Sequence, residues 1–224
     1  MKNIDNEKQY IVLGLGVFGS TIAKTLTNYN CEVIAVDRDI ECVQRLADVV
    51  TQAVRGDITN KQLLKSAGAA DCDVAIVAVG SHLEDSIMAI IILKELGVPY
   101  VLAKAKNKQY KEILLKVGAD KVVRPEKEMG VVAAKGLLNR NIIDMVDLDS
   151  EYSVVEIQTP EAWVGSTLVE IDVRNKYGVN VLGIRHTDGN LDVTPNPEYV
   201  LEKGDHMLVI SDITKFSKFD FMKK

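Results

Sequence analysis

The chain has 224 residues, 47% of them hydrophobic, with 27 basic against 32 acidic side chains and a net charge of -5. That length suits one large domain or two small ones with a sizeable core, and a mildly acidic balance without a Lys/Arg cluster removes the electrostatic ground for nucleic-acid binding. The three cysteines, Cys31, Cys42 and Cys72, form no C-x-x-C pair, which points to free thiols in a reducing compartment and to no zinc site.

In chain order, MKNIDNEKQY (1–10) is polar and holds no apolar signal core, so a cytoplasmic protein is expected. YIVLG (10–14) predicts a buried strand, followed by a glycine turn and a helix over 17–29. CEVIAVD (31–37) is the second strand, with a helix over IECVQRLADV (40–49). TQAVRGD (51–57) is a short third strand, with a helix over 61–67. DVAIVAVG (73–80) is a near-continuous apolar run ending in glycine, as fits a strand buried on both faces. A helix over 81–96 is stopped by Gly97 and Pro99. It holds the longest apolar run, Ile87 to Leu93, far short of the ~20 residues of a membrane span. YVLAKA (100–105), a helix over 109–117, KVVRP (121–125) and a helix over 127–138 complete the series. This alternation predicts an α/β fold, a Rossmann-like doubly wound parallel sheet.

The character changes after Asn139. NRNIIDMVDLDSE (139–151) reads as a connection rich in Asn and Asp. Short alternating strands follow at YSVVEIQ (152–158), VNVLGIRH (179–186) and HMLVIS (206–211), with a hairpin signal at Asp188-Gly189 and one helix over 166–176. These elements predict a small α+β domain, with residues 1–144 as the nucleotide-binding domain and 145–224 as the second.

LGLGVFGS (13–20) carries G-x-G-x-x-G at Gly14, Gly16 and Gly19, between a predicted strand and a predicted helix. Gly14 allows the tight turn, Gly16 lets a pyrophosphate approach the backbone, and Gly19 lets the helix pack close to the strand. The helix start, at Val17 and Phe18, offers N–H donors to phosphates. Asp37 ends the second strand 18 positions after Gly19, where a carboxylate can hold ribose hydroxyls. Arg38 beside it can stack on adenine, meet a 2′-phosphate or stand exposed, and the retained Asp37 favours stacking or exposure over NADP selection. Asp57, with Ile58 at the third strand's end, can meet the adenine or cap the next helix. Val79 and Gly80 end the fourth strand at the same rim.

A hydride-transferring enzyme would also need a proton-transfer group and a substrate pocket. Of His82, His186 and His206, only His82 falls near the rim, where it reads as a helix-start residue more readily than as an acid. RPEKEMG (124–130) puts Glu126 at a strand-to-helix junction, favouring the helix start or reaching a divalent cation shared with phosphates. The residues thus read as a nucleotide-binding module without a visible catalyst.

These pieces together resemble the cytoplasmic RCK subunits (TrkA-N/TrkA-C type) of Ktr/Trk potassium uptake systems. The segments that carry the likeness are GLGVFGS, GDITN, DVAIVAVG, LKELGVP, AKAKN, KVGADKVVRPEKEMG and DVRNKYGVNVLGIRH, in the same order along almost the whole chain. The resemblance implies homodimers assembled into an octameric ring under a membrane potassium channel or transporter subunit. It implies gating by ATP, ADP, NAD or NADH, and in many relatives cyclic di-AMP in the second domain. Gly14, Gly16, Phe18 and Gly19 would form the phosphate turn, and Asp37 would hold the ribose. Arg38, Asp57 and Ile58 would lie near adenine, and Lys104 and Glu126 by the phosphates, Glu126 helping to hold a divalent cation. Many ATP-responsive relatives have Arg where this chain has Val17, which removes a charge-assisted contact of about 1.5–3 kcal/mol and leaves NAD, NADH or AMP-like ligands more open. Cyclic di-AMP would be lined by Ile171, Asp172, Val173, Arg174, Asn175 and His186, with Arg174 suited to a phosphate or else a solvated helix-end residue. The alternatives are a small NAD-dependent oxidoreductase and a free-standing nucleotide or cyclic di-AMP sensor.

Overall fold

The computed structural model describes residues 8–80, 82–138, 142–148 and 152–212. It divides into two compact units, one ending at Glu128 and the other beginning at Met129.

The first unit alternates strands and helices: β1 (Gln9–Leu13), α1 (Val17–Asn28), β2 (Glu32–Asp37), α2 (Ile40–Gln44), β3 (Gln52–Arg55), α3 (Lys61–Ser66), β4 (Val74–Val77), α4 (Leu83–Glu95), β5 (Tyr100–Lys104), α5 (Lys108–Lys116), β6 (Lys121–Val123) and α6 (Pro125–Leu138), which runs across the division. The six strands pair in parallel, in the order β3-β2-β1-β4-β5-β6. The central strands are covered on both faces. Ile11, Leu13, Ala75 and Val77 join one core with Ile90, Leu93 and Leu114, while Val12, Ala35 and Ile76 join another with Ala23 and Leu46. This explains why β4 reads as an unbroken apolar run.

The helix expected over 40–49 is shorter than the sequence suggests. Beyond Gln44 the backbone continues as turns bonded three residues apart, such as Leu46 N–H to Val43 O at 3.0 Å and Val49 N–H to Leu46 O at 2.9 Å. Leu46 and Val50 reach the core from these turns. All three cysteines are free. Cys31 and Cys72 are buried and Cys42 half-buried, and burial pushes the Cys72 thiol up to about 11.

The second unit is an antiparallel sheet of order β10-β9-β11-β8-β7, made of β7 (Ile142–Asp147), β8 (Tyr152–Gln158), β9 (Asn180–Arg185), β10 (Leu191–Asp192) and β11 (His206–Asp212). Two short helices, α7 (Leu168–Ile171) and α8 (Val173–Tyr177), complete it. Val155, Ile157, Met207 and Val209 alternate inward and pack with Trp163, Ile171 and Val173. The segment read as a connection is the edge strand β7, and the residue-145 junction falls inside it. Its aspartates and a register shift between Ile142 and Asp144 mask its alternation, and its pairing with β8 supplies what its own pattern lacks.

The single helix expected over 166–176 is two. Asp172 sits between them at φ +53°, a left-handed conformation that no helix can pass through. At the hairpin, Gly189 N–H donates to His186 O at 2.9 Å and His186 N–H to Asn190 O at 2.8 Å. Gly189 lies at φ +86° while Asp188 keeps a negative φ, as in a three-residue loop built on a type I turn. Among the described residues no helix is long and apolar enough to cross a membrane.

Candidate functional site

Backbone bonds tie the strand ends of the first unit into one rim. Gly14 N–H donates to Val36 O at 2.8 Å, Ala78 N–H to Leu13 O at 2.8 Å, and Gly56 N–H to Asp37 O at 2.9 Å. The rim lies where β1 is flanked by β2 and β4, so the chain leaves the sheet in opposite directions around a crevice. There a cleft of about 580 Å³ opens, lined by Gly14, Gly16, Asp37, Ala78, Val79, Gly80, Lys104, Lys106 and Glu126. Beside it a recess of about 80 Å³ is lined by Gly14, Asp37, Arg38, Gly56, Asp57, Ile58, Val79 and Asp85.

The three glycines of the turn differ in what requires them. Gly14 sits at φ +92°. A Cβ on Gly19 would lie 1.9 Å from Gly14 O, so α1 could not lie this close to β1. A Cβ on Gly16 would meet nothing within 4 Å. Gly14 and Gly19 therefore serve the fold, whereas among the described residues no contact requires Gly16. Gly16 is also the N-cap of α1, with no side-chain cap and no acidic residue in the first turn. The first N–H groups of a helix lack intrahelical acceptors, and here they lie beside the cleft. Val17, 89% exposed, adds no charge there.

Asp37 is held by two backbone donors. Leu15 N–H donates to Oδ2 at 2.6 Å and Asp39 N–H to Oδ1 at 2.8 Å. Asp57 Oδ1 accepts from Thr59 N–H at 2.8 Å and from the Thr59 hydroxyl at 2.7 Å, and these bonds hold its carboxyl below the usual range. Asn60, not Asp57, caps α3 through Leu63 N–H. Arg38 is exposed at the recess and Ile58 is buried beneath it.

Across the cleft, Lys104 Nζ pairs with Glu126 Oε1 at 2.5 Å and stands 5.8 Å over the Phe18 ring. The Lys104 bond draws the Glu126 carboxyl below its usual range. Among the described residues no group of three His, Cys, Asp or Glu side chains could hold a metal ion. Glu126 offers one carboxylate already bonded to an ammonium, so the residues present do not make a cation site of their own. His82 stands exposed at the N-cap of α4.

Sequence reasoning missed Ala78, Lys106 and Asp85. Lys106 had a signal: it follows Lys104 by two positions at the end of β5. Asp85 had none, because only the placement of α4's first turn brings it to the recess.

The second unit holds a cleft of about 600 Å³. Of the residues expected there, Val173 and Arg174 line it. The others lie elsewhere. Ile171 is in the core, Asp172 accepts from Asn175 Nδ2 at 2.8 Å at the break between helices, and His186 is bound up in another cluster. His186 Nδ1 meets the Tyr199 hydroxyl at 3.2 Å and Asp205 Oδ1 at 3.6 Å. Asp205 is buried and also accepts from Tyr199 OH and Glu202 N–H, both at 2.9 Å. Burial, with the Asp205 bond, drives the Tyr199 hydroxyl's pKa upward. The remaining walls come from Leu168 and Val169, from Val179 and the first three residues of β9, and from the loop with Pro195 and Pro197.

The TrkA-N domain model matches residues 10–125, and the TrkA-C domain model matches residues 152–220. The chain belongs to the TrkA-N/TrkA-C (RCK) family. It is 37% identical over 214 residues to Ktr system potassium uptake protein C of Bacillus subtilis, covering 96% of each chain. It is 35% identical over 213 residues to Ktr system potassium uptake protein A of the same organism, covering 95% of this chain and 96% of the relative. Among solved structures it is similar to the GsuK channel bound to NAD, with TM-score 0.63 and 18% identity, over 96% of this chain and 39% of that one. At that identity the likeness is one of fold, and the chain spans well under half of that channel. The first unit is thus the TrkA-N part and the second the TrkA-C part of an RCK chain.

Proposed function

We propose that this protein is the cytoplasmic regulatory subunit of a potassium uptake system, a binding and gating component rather than an enzyme. It senses an adenine nucleotide in the TrkA-N cleft and cyclic di-AMP in the TrkA-C cleft. The identity to Ktr potassium uptake proteins along nearly the full length supports the transport role. Gly16 carries the nucleotide reading: it opens onto a cleft at the strand ends, and among the described residues no atom lies within 4 Å of where its Cβ would stand.

In this reading the phosphates meet the N–H groups at Gly16, Val17, Phe18 and Gly19, where the positive end of α1 favours an anion. Asp37, already aligned by two backbone donors, accepts from ribose hydroxyls. Adenine lies toward Arg38, Asp57 and Ile58, along Val79 and Gly80. Lys104 and Lys106 supply positive charge at the phosphate end. NAD, NADH, ADP and ATP all carry these parts. The missing charge at Val17 favours the ligands without a γ-phosphate. A divalent cation beside Glu126 would take its other ligands from those phosphates.

The ring belongs to the same proposal: homodimers in an octamer at the inner face of the membrane, reaching it through the channel subunit. Its support is α6, which exposes Met129 at 63% and Leu137 at 84%, apolar side chains suited to a partner surface. For the TrkA-C cleft, the support is one arginine, Arg174, among largely apolar walls, as suits a phosphate flanked by purines.

Native mass spectrometry of the purified protein tests the assembly and any retained nucleotide together. An octamer, and a mass increment matching an adenine nucleotide, are expected. A monomer that no adenine nucleotide stabilises against heat would end the reading.

A further inference from the structure

The order of the strands lays out the cleft. Asp37 ends β2, Gly16 follows β1, Gly80 follows β4 and Lys104 ends β5, so these groups succeed one another across the sheet β2-β1-β4-β5. A nucleotide with its ribose at Asp37 and its first phosphate at Gly16 therefore presents to β5 whatever follows that phosphate. In ADP this is a free terminal phosphate. In NAD it is a phosphate esterified to a second riboside. Two lysines stand there. Ala105 N–H donates to Val123 O at 2.9 Å, so the strand alternation continues past Lys104 and sets Lys104 and Lys106 on one side, with Ala105 buried between them. Lys104 is already engaged. Its stem lies against Gly80, where a Cβ would stand 3.1 Å from Lys104 Cε, and its ammonium pairs with Glu126. Lys106 is exposed, and among the described residues it has no ion-pair partner. Val17 and the first turn of α1 add no charge of either sign at the phosphate end.

We infer that Lys106 reads the end of the phosphate chain, favouring adenine nucleotides that stop at a free second phosphate over those esterified there. This rests on the adenine-nucleotide reading of the cleft. A terminal phosphate carries about 1.5 to 2 negative charges at neutral pH, against about one for a diester. It also offers its oxygens to an ammonium that has donors to spare. Lys104 divides its charge between Glu126 and any phosphate, whereas Lys106 gives its own undivided. Because Lys106 is exposed, the selection works through direct charge-assisted hydrogen bonds and not through a shielded field.

ADP and ADP-ribose share adenosine and two phosphates and differ in whether the second phosphate is free. Titration calorimetry on the full chain, with a chelator present to remove divalent cations, should show ADP binding about five- to tenfold more tightly. Lys106→Gln should remove most of that preference by weakening ADP, moving ADP-ribose by less than about twofold. Lys106→Arg, which retains the charge, should keep the preference. Thermal unfolding without ligand checks that each variant folds as the wild type does. Equal affinities in the wild type, or tighter binding of ADP-ribose, overturn the inference. So does a preference untouched by Lys106→Gln, or an equal loss of both ligands, which would make Lys106 a contact for any pyrophosphate. If ADP, ADP-ribose and NAD all fail to bind, the nucleotide reading itself falls, an outcome distinct from equal binding.

Discussion

The two clefts are nearly the same size, about 580 and about 600 Å³, but they are made of different material. Four of the nine residues that line the TrkA-N cleft at the ends of parallel strands, Gly14, Gly16, Ala78 and Gly80, have a small side chain or none, so backbone is brought to its surface. The TrkA-C cleft is walled by side chains from two short helices, β9 and a proline loop, and only Ile184 and Arg185 of β9 pair with β10. A backbone site is set by strand order and a turn, so few residues specify it. A side-chain site depends on how separate segments pack, so its specification is spread along the chain.

The largest test of that contrast is the glycine pair. Gly19→Ala places a methyl group against the Gly14 carbonyl and should cost about 3 kcal/mol. The melting temperature should fall by roughly 6–12 °C. Gly16→Ala should cost no more than the N-cap preference of Gly over Ala, about 1 kcal/mol, yet abolish nucleotide-induced stabilisation. Equal melting losses in the two variants would erase the distinction between fold glycine and ligand glycine.

Asp37→Ala should remove the stabilisation that NAD or ADP confers, about 2.7 kcal/mol at a hundredfold excess over Kd. A thermal-shift titration measures it. Arg174→Ala in the other cleft should leave that response alone and weaken cyclic di-AMP by about tenfold or more, the loss of one charge-assisted bond. Calorimetry on the full chain reads this, and an unchanged affinity would remove Arg174 from the site.

The smallest expected effect is acid sensitivity. Arg185, bonded through Nε to Glu156 Oε1 at 2.9 Å, holds the Glu156 carboxyl below its usual value of 4.5, and His206 Nδ1 adds a contact at 3.1 Å. A carboxylate with a depressed folded-state pKa contributes its full stability above the unfolded value and loses it as pH falls through the folded one. Melting temperature should therefore drop below about pH 4.5, and Glu156→Gln should flatten that drop. The Lys104–Glu126 pair in the TrkA-N unit works in the same direction, so a profile unchanged by Glu156→Gln would assign the acid sensitivity to that unit instead.

Much of the TrkA-N unit was legible because local and tertiary demands agree there. Strands buried on both faces must be apolar throughout, helices that cover them must be amphipathic, and the turn between β1 and α1 must hold glycine. The TrkA-C unit was less legible. The edge strand β7 looked like a linker because an edge strand can keep aspartates. Asp172 in the left-handed region split a helix that its apolar spacing had made continuous. His186 looked available for a ligand, whereas the buried carboxylate of Asp205 and the Tyr199 hydroxyl engage it.

Taken by itself, the sequence determined the parallel sheet, the glycine turn and the acidic end of the second strand, since each follows from contacts between near neighbours or from the fixed geometry of a strand-turn-helix unit. Only the tertiary structure decided that among the described residues nothing lies within 4 Å of a Cβ placed on Gly16, that Asp85 comes to the recess, and that Val173 and Arg174 share a cleft with Leu168 and Pro197. Those depend on where distant segments come to rest when a core closes, and no local spacing records that.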